Sequence, residues 1–200
     1  MGTKKAILFF SIFMFSLNCI SQDKGDIRIG EYGQGMTMKN EIMPQFGLVG
    51  EIFLSHHLAL NYKYGIGVNI DGGVSGHLNP AIFALGWFGE ATSQAVFTLI
   101  LLVPEGVSYH LYPNDYLEIA PFISPIGAEI NIYPDPDQVL LSCAFGSNFY
   151  LTPFKKLRNL SFSVFGSATY VYKKKAILPS IGCSVNYTIF RNYNGSDDIN

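Results

Sequence analysis

Charge is scarce in this sequence. Asp, Glu, Lys and Arg make up only 14% of its 200 residues, against about a quarter in an ordinary soluble domain. Nearly half of the chain, 48%, is hydrophobic, and mean hydropathy is +0.23. Either a large core or a surface facing lipid must account for the missing charge. Cations are not in excess either. Thirteen Lys and Arg stand against 15 Asp and Glu for a net charge of -2, and no basic stretch with interleaved aromatics occurs, which excludes nucleic-acid binding as a class. Cysteine is limited to Cys19, Cys143 and Cys183. There is no CxxC pair, Walker loop, GxSxG or HExxH, so no motif points to a metal, a nucleotide or another cofactor. The length suits one domain.

The first 21 residues read as an export signal. Lys4 and Lys5 supply the positive start, Ala6 to Phe15 the apolar stretch, and Cys19-Ile20-Ser21 a small-x-small site cut before Gln22. The alternative makes Cys19 a lipidated residue after Leu17-Asn18. Cys143 and Cys183 stay in the exported chain under both readings. Each falls on the apolar face of an alternating stretch, so they read as small hydrophobes rather than as a bridge. The expected organisation is a signal peptide over 1–21, a β-barrel domain over 22–190, and a polar C-terminal tail over 191–200.

Period two dominates the exported chain. In Leu58 to Ile70 (LALNYKYGIGVNI), the residues Leu58, Leu60, Tyr62, Tyr64, Ile66, Val68 and Ile70 share one face of an extended strand, and Asn61, Lys63 and four small or polar residues share the other. A tilted strand of about 9 to 11 residues crosses a bilayer with its apolar face outward. Similar alternation runs through Asp26 to Met36, Gln45 to Leu54, Gly106 to Tyr112, Tyr116 to Ile126 and on toward Tyr133, Val139 to Leu151, Leu160 to Tyr172 and Ala176 to Phe190. Turns are expected at Ser55 to His57, Pro113 to Asp115, Pro134 to Asp137, Pro153 to Asn159 and Lys173 to Lys175, with a Gly-rich loop over Asp71 to Leu78.

Residues 79–103 (NPAIFALGWFGEATSQAVFTLILLV) break the pattern. They are apolar on both sides, with an Asn79-Pro80 start and a Pro104 and Gly106 stop, which reads as a helical or apolar insertion between strands. A strand hairpin is the competing reading, and a single membrane helix the third. Counting strands gives an all-β, antiparallel transmembrane barrel of about eight strands, or ten if the insertion is a hairpin. Both counts are even, and both place the chain ends on one side. On turn lengths, the 55–57 and 113–115 turns are expected to face the periplasm and 71–78 and 134–137 outside; alternating strand direction then puts 173–175 at the outer rim.

Ser180 to Tyr187 (SIGCSVNY) resembles the C-terminal β-signal of Gram-negative outer-membrane proteins, in which a polar residue, a glycine and alternating hydrophobic residues are read by the barrel-assembly machinery. The alternating chain as a whole is similar to the small OmpA/OmpX-like barrel class, with no subfamily identified. That resemblance implies outer-membrane localisation after signal-peptide cleavage, with lipid, lipopolysaccharide and the assembly machinery as partners. It fixes no activity, because the class includes anchors, adhesins and lipid-modifying enzymes.

Candidate chemistry is confined to the expected lumen. Pairing Tyr112 with Tyr116 sets His110 opposite Glu118 and Ser108 opposite Ala120, a Ser, His and Glu grouping of the hydrolase kind. The outward face there belongs to Val107, Tyr109 and Leu111, so the trio points away from lipid, and mutual satisfaction of buried groups is the expected role. Arg28, Glu51, Asn61 and Lys63 read as internal filling of a barrel too narrow for a pore. His56, His57 and His77 read as surface residues. Tyr109, Tyr112, Tyr116, Tyr133, Tyr150, Tyr170 and Tyr172 suit aromatic girdles, and Lys173, Lys174 and Lys175 a rim that could meet lipopolysaccharide phosphates. The expected function is a non-enzymatic outer-membrane barrel in envelope integrity, anchoring or surface interaction. The alternatives are a lipid-modifying outer-membrane hydrolase and a periplasmic or lipid-anchored lipocalin-like binding barrel.

Overall fold

In a computed structural model, the chain is described over residues 24–38, 41–68, 73–78, 103–133, 140–153, 157 and 159–189. The remaining residues, including the expected signal peptide, the tail from 191 and residues 79–102 of the expected insertion, lie outside the described residues. Among the described residues, ten strands form one antiparallel sheet: β1 Ile27–Met38, β2 Glu41–Phe53, β3 Leu58–Val68, β4 Val74–Leu78, β5 Gly106–Tyr109, β6 Leu111–Asn114, β7 Leu117–Tyr133, β8 Leu140–Leu151, β9 Leu160–Val171 and β10 Ala176–Ile189. The sheet closes on itself. β1 pairs with β10 from Ile27↔Ile189 to Met36↔Ser180, and every other edge is taken up between neighbours.

The ten strands make eight staves, because three of them share one position. β4 lies against the upper part of β3 through Gly65↔His77 to Val68↔Val74, and β5 against the lower part through Leu58↔Tyr109 to Asn61↔Gly106. β7 runs along the other side of both, and β6 completes the same stave. A closed sheet leaves no unpaired edge, which is what allows strands to sit in lipid. The expected eight-strand barrel is the fold observed.

The wall stave breaks off at Leu78 and resumes at Gly106 at mid-height. Leu78 falls next to Tyr64 in register and Gly106 opposite Asn61, so Pro104 and Glu105 span the two positions between. The Glu105 amide donates to the Asn61 carbonyl at 2.8 Å. Excising the insertion would therefore leave a continuous strand. The loop expected over 71–78 is corrected accordingly: Val74–Leu78 is paired on both sides. Only five residues of alternation precede the break, too few to mark a strand in the sequence. β2 also begins earlier than expected, at Glu41. β7 is a single long strand that absorbs Pro125 in a bulge between Ser124 and Gly127, the position a proline without an N–H can occupy in a sheet.

Side chains sort by parity. Ile42, Phe46, Leu48, Ile66, Phe145, Val164, Ile177 and Ile181 point outward and are exposed, whereas Arg28, Glu51, Ser108, Glu118, Ser142, Ser163, Asn186 and Thr188 point inward and are buried. This inverts an ordinary soluble domain. The free Cys143 and Cys183 are not buried and form no bridge, in line with their apolar-face parity. Two of the expected girdle tyrosines are corrected. Tyr112 and Tyr150 are buried, with hydroxyls that donate to the His56 carbonyl and to Glu51, because both are even-numbered in stretches whose odd residues face out. Tyr109, Tyr116 and Tyr172 are exposed as the girdle requires.

Candidate functional site

The lumen is filled in three layers. Nearest the chain ends, Arg28 on β1 places Nη1 2.8 Å from Glu51 on β2, and grips Glu118 on β7 with Nη1 at 2.9 Å and Nη2 at 2.7 Å. Its guanidinium lies 4.1 Å from the centre of the Tyr150 ring, and the Tyr150 hydroxyl donates to Glu51 at 3.0 Å. Such a fork uses the planar geometry and multiple donors of arginine, and a charge buried in this way is tolerated only when paired.

His110 completes this layer between β5 and β6. Its Nδ1 donates to Glu118, its Nε2 lies 2.7 Å from Ser108 Oγ, and its ring packs 4.7 Å from that of Phe53. The sequence thus places Ser108, His110 and Glu118 together correctly but in the wrong register. Leu111 pairs with Ile119 and Ser108 with Phe122, two residues away from the pairing expected across the Pro113 turn. The turn itself lies one step later, at Asp115 and Tyr116, where Asn114 Oδ1 accepts from the Tyr116 and Leu117 amides. Glu118 reaches His110 diagonally rather than from directly opposite.

The grouping has the residues of a hydrolase triad without its working parts. Ser108 is 1% exposed and His110 0%, so no substrate carbonyl can approach. Ser108 Oγ lies between Asn61 Oδ1 at 2.9 Å and His110 Nε2 at 2.7 Å, so its hydroxyl is shared within the buried cluster. Glu118 is also committed to Arg28.

A second layer was not legible in the sequence. His77 on β4 lies 2.6 Å from Glu129 on β7 through Nδ1 and 3.0 Å from Glu105 through Nε2, and it is buried rather than at the surface as expected. The signal that could have revealed it is the continuity of Val74 to Leu78 with Glu105 to Tyr109 across the insertion. Lys63 donates to Gln34 at 2.8 Å and lies over the Tyr32 and Phe165 rings, and Gln34 bonds to Gln45. His56 and His57 do sit in the β2–β3 turn, with His57 stacked on Tyr109. Above, Met36, Met43, Leu140, Val171 and Leu178 form an apolar plug. Among the described residues, a space of about 60 Å³ lies among Glu51, Lys63, Tyr150 and their neighbours, room for a few waters. Among the described residues, no group of His, Cys, Asp and Glu could hold a metal ion.

Lys173, Lys174 and Lys175 are exposed in the β9–β10 turn, at the end of the barrel away from the chain ends. Ser180 to Tyr187 lie on β10, where they pair with β1 and β9 at the closing seam.

No model of a known protein family matches the sequence, and no curated protein matches it. Solved structures do match. The N-terminal β-barrel domain of Pseudomonas aeruginosa OprF superposes with a TM-score of 0.53 at 15% identity, covering 83% of this chain and 100% of that one. Ail, the attachment invasion locus protein of Yersinia pestis, gives 0.47 at 9% identity over 83% of this chain and 99% of that one. At these identities the likeness is one of fold, and the OprF superposition carries it. The chain has the eight-stranded antiparallel fold of the small OmpA/OmpX-like outer-membrane barrels.

Proposed function

We propose that this chain is a non-enzymatic barrel of the bacterial outer membrane that serves envelope integrity, anchoring or contact at the cell surface. The observation that carries this reading is the inversion of the barrel: an apolar outer wall around a polar lumen that is closed by its own side chains. An apolar wall needs lipid, and the described lumen side chains are engaged with one another. A lipocalin-like barrel would need the apolar faces turned inward around a ligand, the reverse of the parity seen here. Lys173 to Lys175 would meet lipopolysaccharide phosphates at the outer rim, and Ser180 to Tyr187 would be read during assembly.

Fractionation tests the reading. The protein should be extracted only from outer membrane and should show heat-modifiable gel mobility; recovery in the soluble periplasm would overturn it. Purified barrel in vesicles should release no fatty acid from lipid A or phospholipid. Hydrolysis lost on Ser108→Ala would instead establish the hydrolase.

A further inference from the structure

His77 stands where the wall is interrupted. It lies on β4, one residue before the stave breaks off at Leu78, and its Nε2 is 3.0 Å from Glu105, one residue before the stave resumes as β5. Its Nδ1 meets Glu129 on β7 at 2.6 Å. Alternation along β5, with Gly106 inward, Val107 outward and Ser108 inward, would turn Glu105 outward. Instead the chain bends there, and Glu105 is 4% exposed. A carboxylate is thus drawn in, against the local parity, to bridge the two halves of the stave through His77.

The bridge needs a proton. Carboxylates carry no hydrogen and a neutral imidazole carries one, so both contacts are hydrogen bonds only when the three side chains hold one proton more than a neutral ring between two carboxylates. The other titratable groups facing this layer are Lys63 on β3, which donates to Gln34 and lies over the Tyr32 and Phe165 rings, and Tyr32 on β1, whose hydroxyl covers Gly65, the residue opposite His77. β4 itself is only five residues long, so a side-chain link at its broken end is a large part of what holds it.

We propose that this shared proton latches β4 to β5 across the interruption, so that the β4 half-stave stays docked between β3 and β7 only while the proton is bound. Undocking releases one proton, so docking weakens as pH rises, by about tenfold per pH unit where a free histidine is neutral. Hydrogen–deuterium exchange on the barrel folded in phospholipid vesicles, from about pH 7 to about pH 9 and corrected for the intrinsic pH dependence of exchange, reads the latch. Protection of the Val74 to Leu78 amides should fall about tenfold per pH unit while the β9 and β10 amides keep theirs. Glu129→Gln offers Nδ1 an amide hydrogen, so the ring needs only one of its own, and the pH dependence should vanish with β4 still docked. Glu105→Gln does the same at Nε2 if Glu129→Gln fails to show the folded mobility. Lys63→Met should keep the wild-type slope. Protection of β4 that is independent of pH in the wild type would overturn the latch. So would a Gln variant with the slope unchanged or with β4 unprotected throughout, or a slope abolished by Lys63→Met.

Discussion

Arg28 is the residue on which the lower lumen depends, and Arg28→Met isolates its contribution. The substitution keeps an apolar stem of similar reach and removes three charged hydrogen bonds of 2.7 to 2.9 Å to Glu51 and Glu118. Both carboxylates are buried beneath the wall. Removing one partner of a buried ion pair costs about 3–5 kcal/mol, most of it from the charge left behind. Arg28 faces two carboxylates and also stacks on Tyr150, so the upper part of that range is expected. Replacing the whole group with neutral residues removes the orphaned charge, so Arg28→Met/Glu51→Gln/Glu118→Gln should recover all but about 1–2 kcal/mol of the loss. Equilibrium urea unfolding in phospholipid vesicles, followed by heat-modifiable mobility and far-ultraviolet circular dichroism, measures both variants. A loss under about 1 kcal/mol for Arg28→Met would refute the reasoning, as would a triple variant less stable than the single one.

Gly47→Ala should destabilise the same transition by at least about 2 kcal/mol, because the new Cβ would sit 1.8 Å from the Tyr64 carbonyl oxygen, which belongs to the wall itself. Gly166→Ala, with nothing within 4 Å, should leave stability unchanged; equal effects at the two sites would contradict the packing described. Ile66→Arg, at an outward position 59% exposed near mid-wall, should cost about 2–4 kcal/mol in lipid, and no loss there would mean that the face does not meet hydrocarbon. Changing Lys173, Lys174 and Lys175 together to Gln should weaken association with lipopolysaccharide at low salt while preserving the folded mobility shift; unchanged binding would leave the turn merely solvated. With the native cysteines replaced, an impermeant maleimide should label Lys174→Cys on intact cells and Ser55→Cys only after lysis, and the opposite pattern would invert the topology.

What the sequence determined by itself is the orientation of each strand's faces. The outer surface must be apolar along every stave, so the constraint repeats every second residue and can be read locally. Leu58 to Val68 shows it most plainly, and Tyr112 and Tyr150 follow the same parity even though residue type alone suggests the girdle. Eight staves follow from counting such stretches, because an antiparallel barrel only requires consecutive strands to pair. The contacts inside are of another kind. Arg28 and Glu118 are 90 positions apart, and Tyr150 and Glu51 99. Their meeting depends on closure of the sheet and the stagger between strands, neither of which leaves a mark on any one segment. Register across the Pro113 turn is similar: parity permits shifts of two residues without moving a side chain to the wrong face, so alternation could not separate His110 opposite Glu118 from the pairing that forms. The break at Leu78 was hidden for the same reason. The half-stave of Val74 to Leu78 before the insertion is too short to announce itself as a strand, and only the neighbouring β3 and β7, which pair with it and with Gly106 to Tyr109, join the two halves.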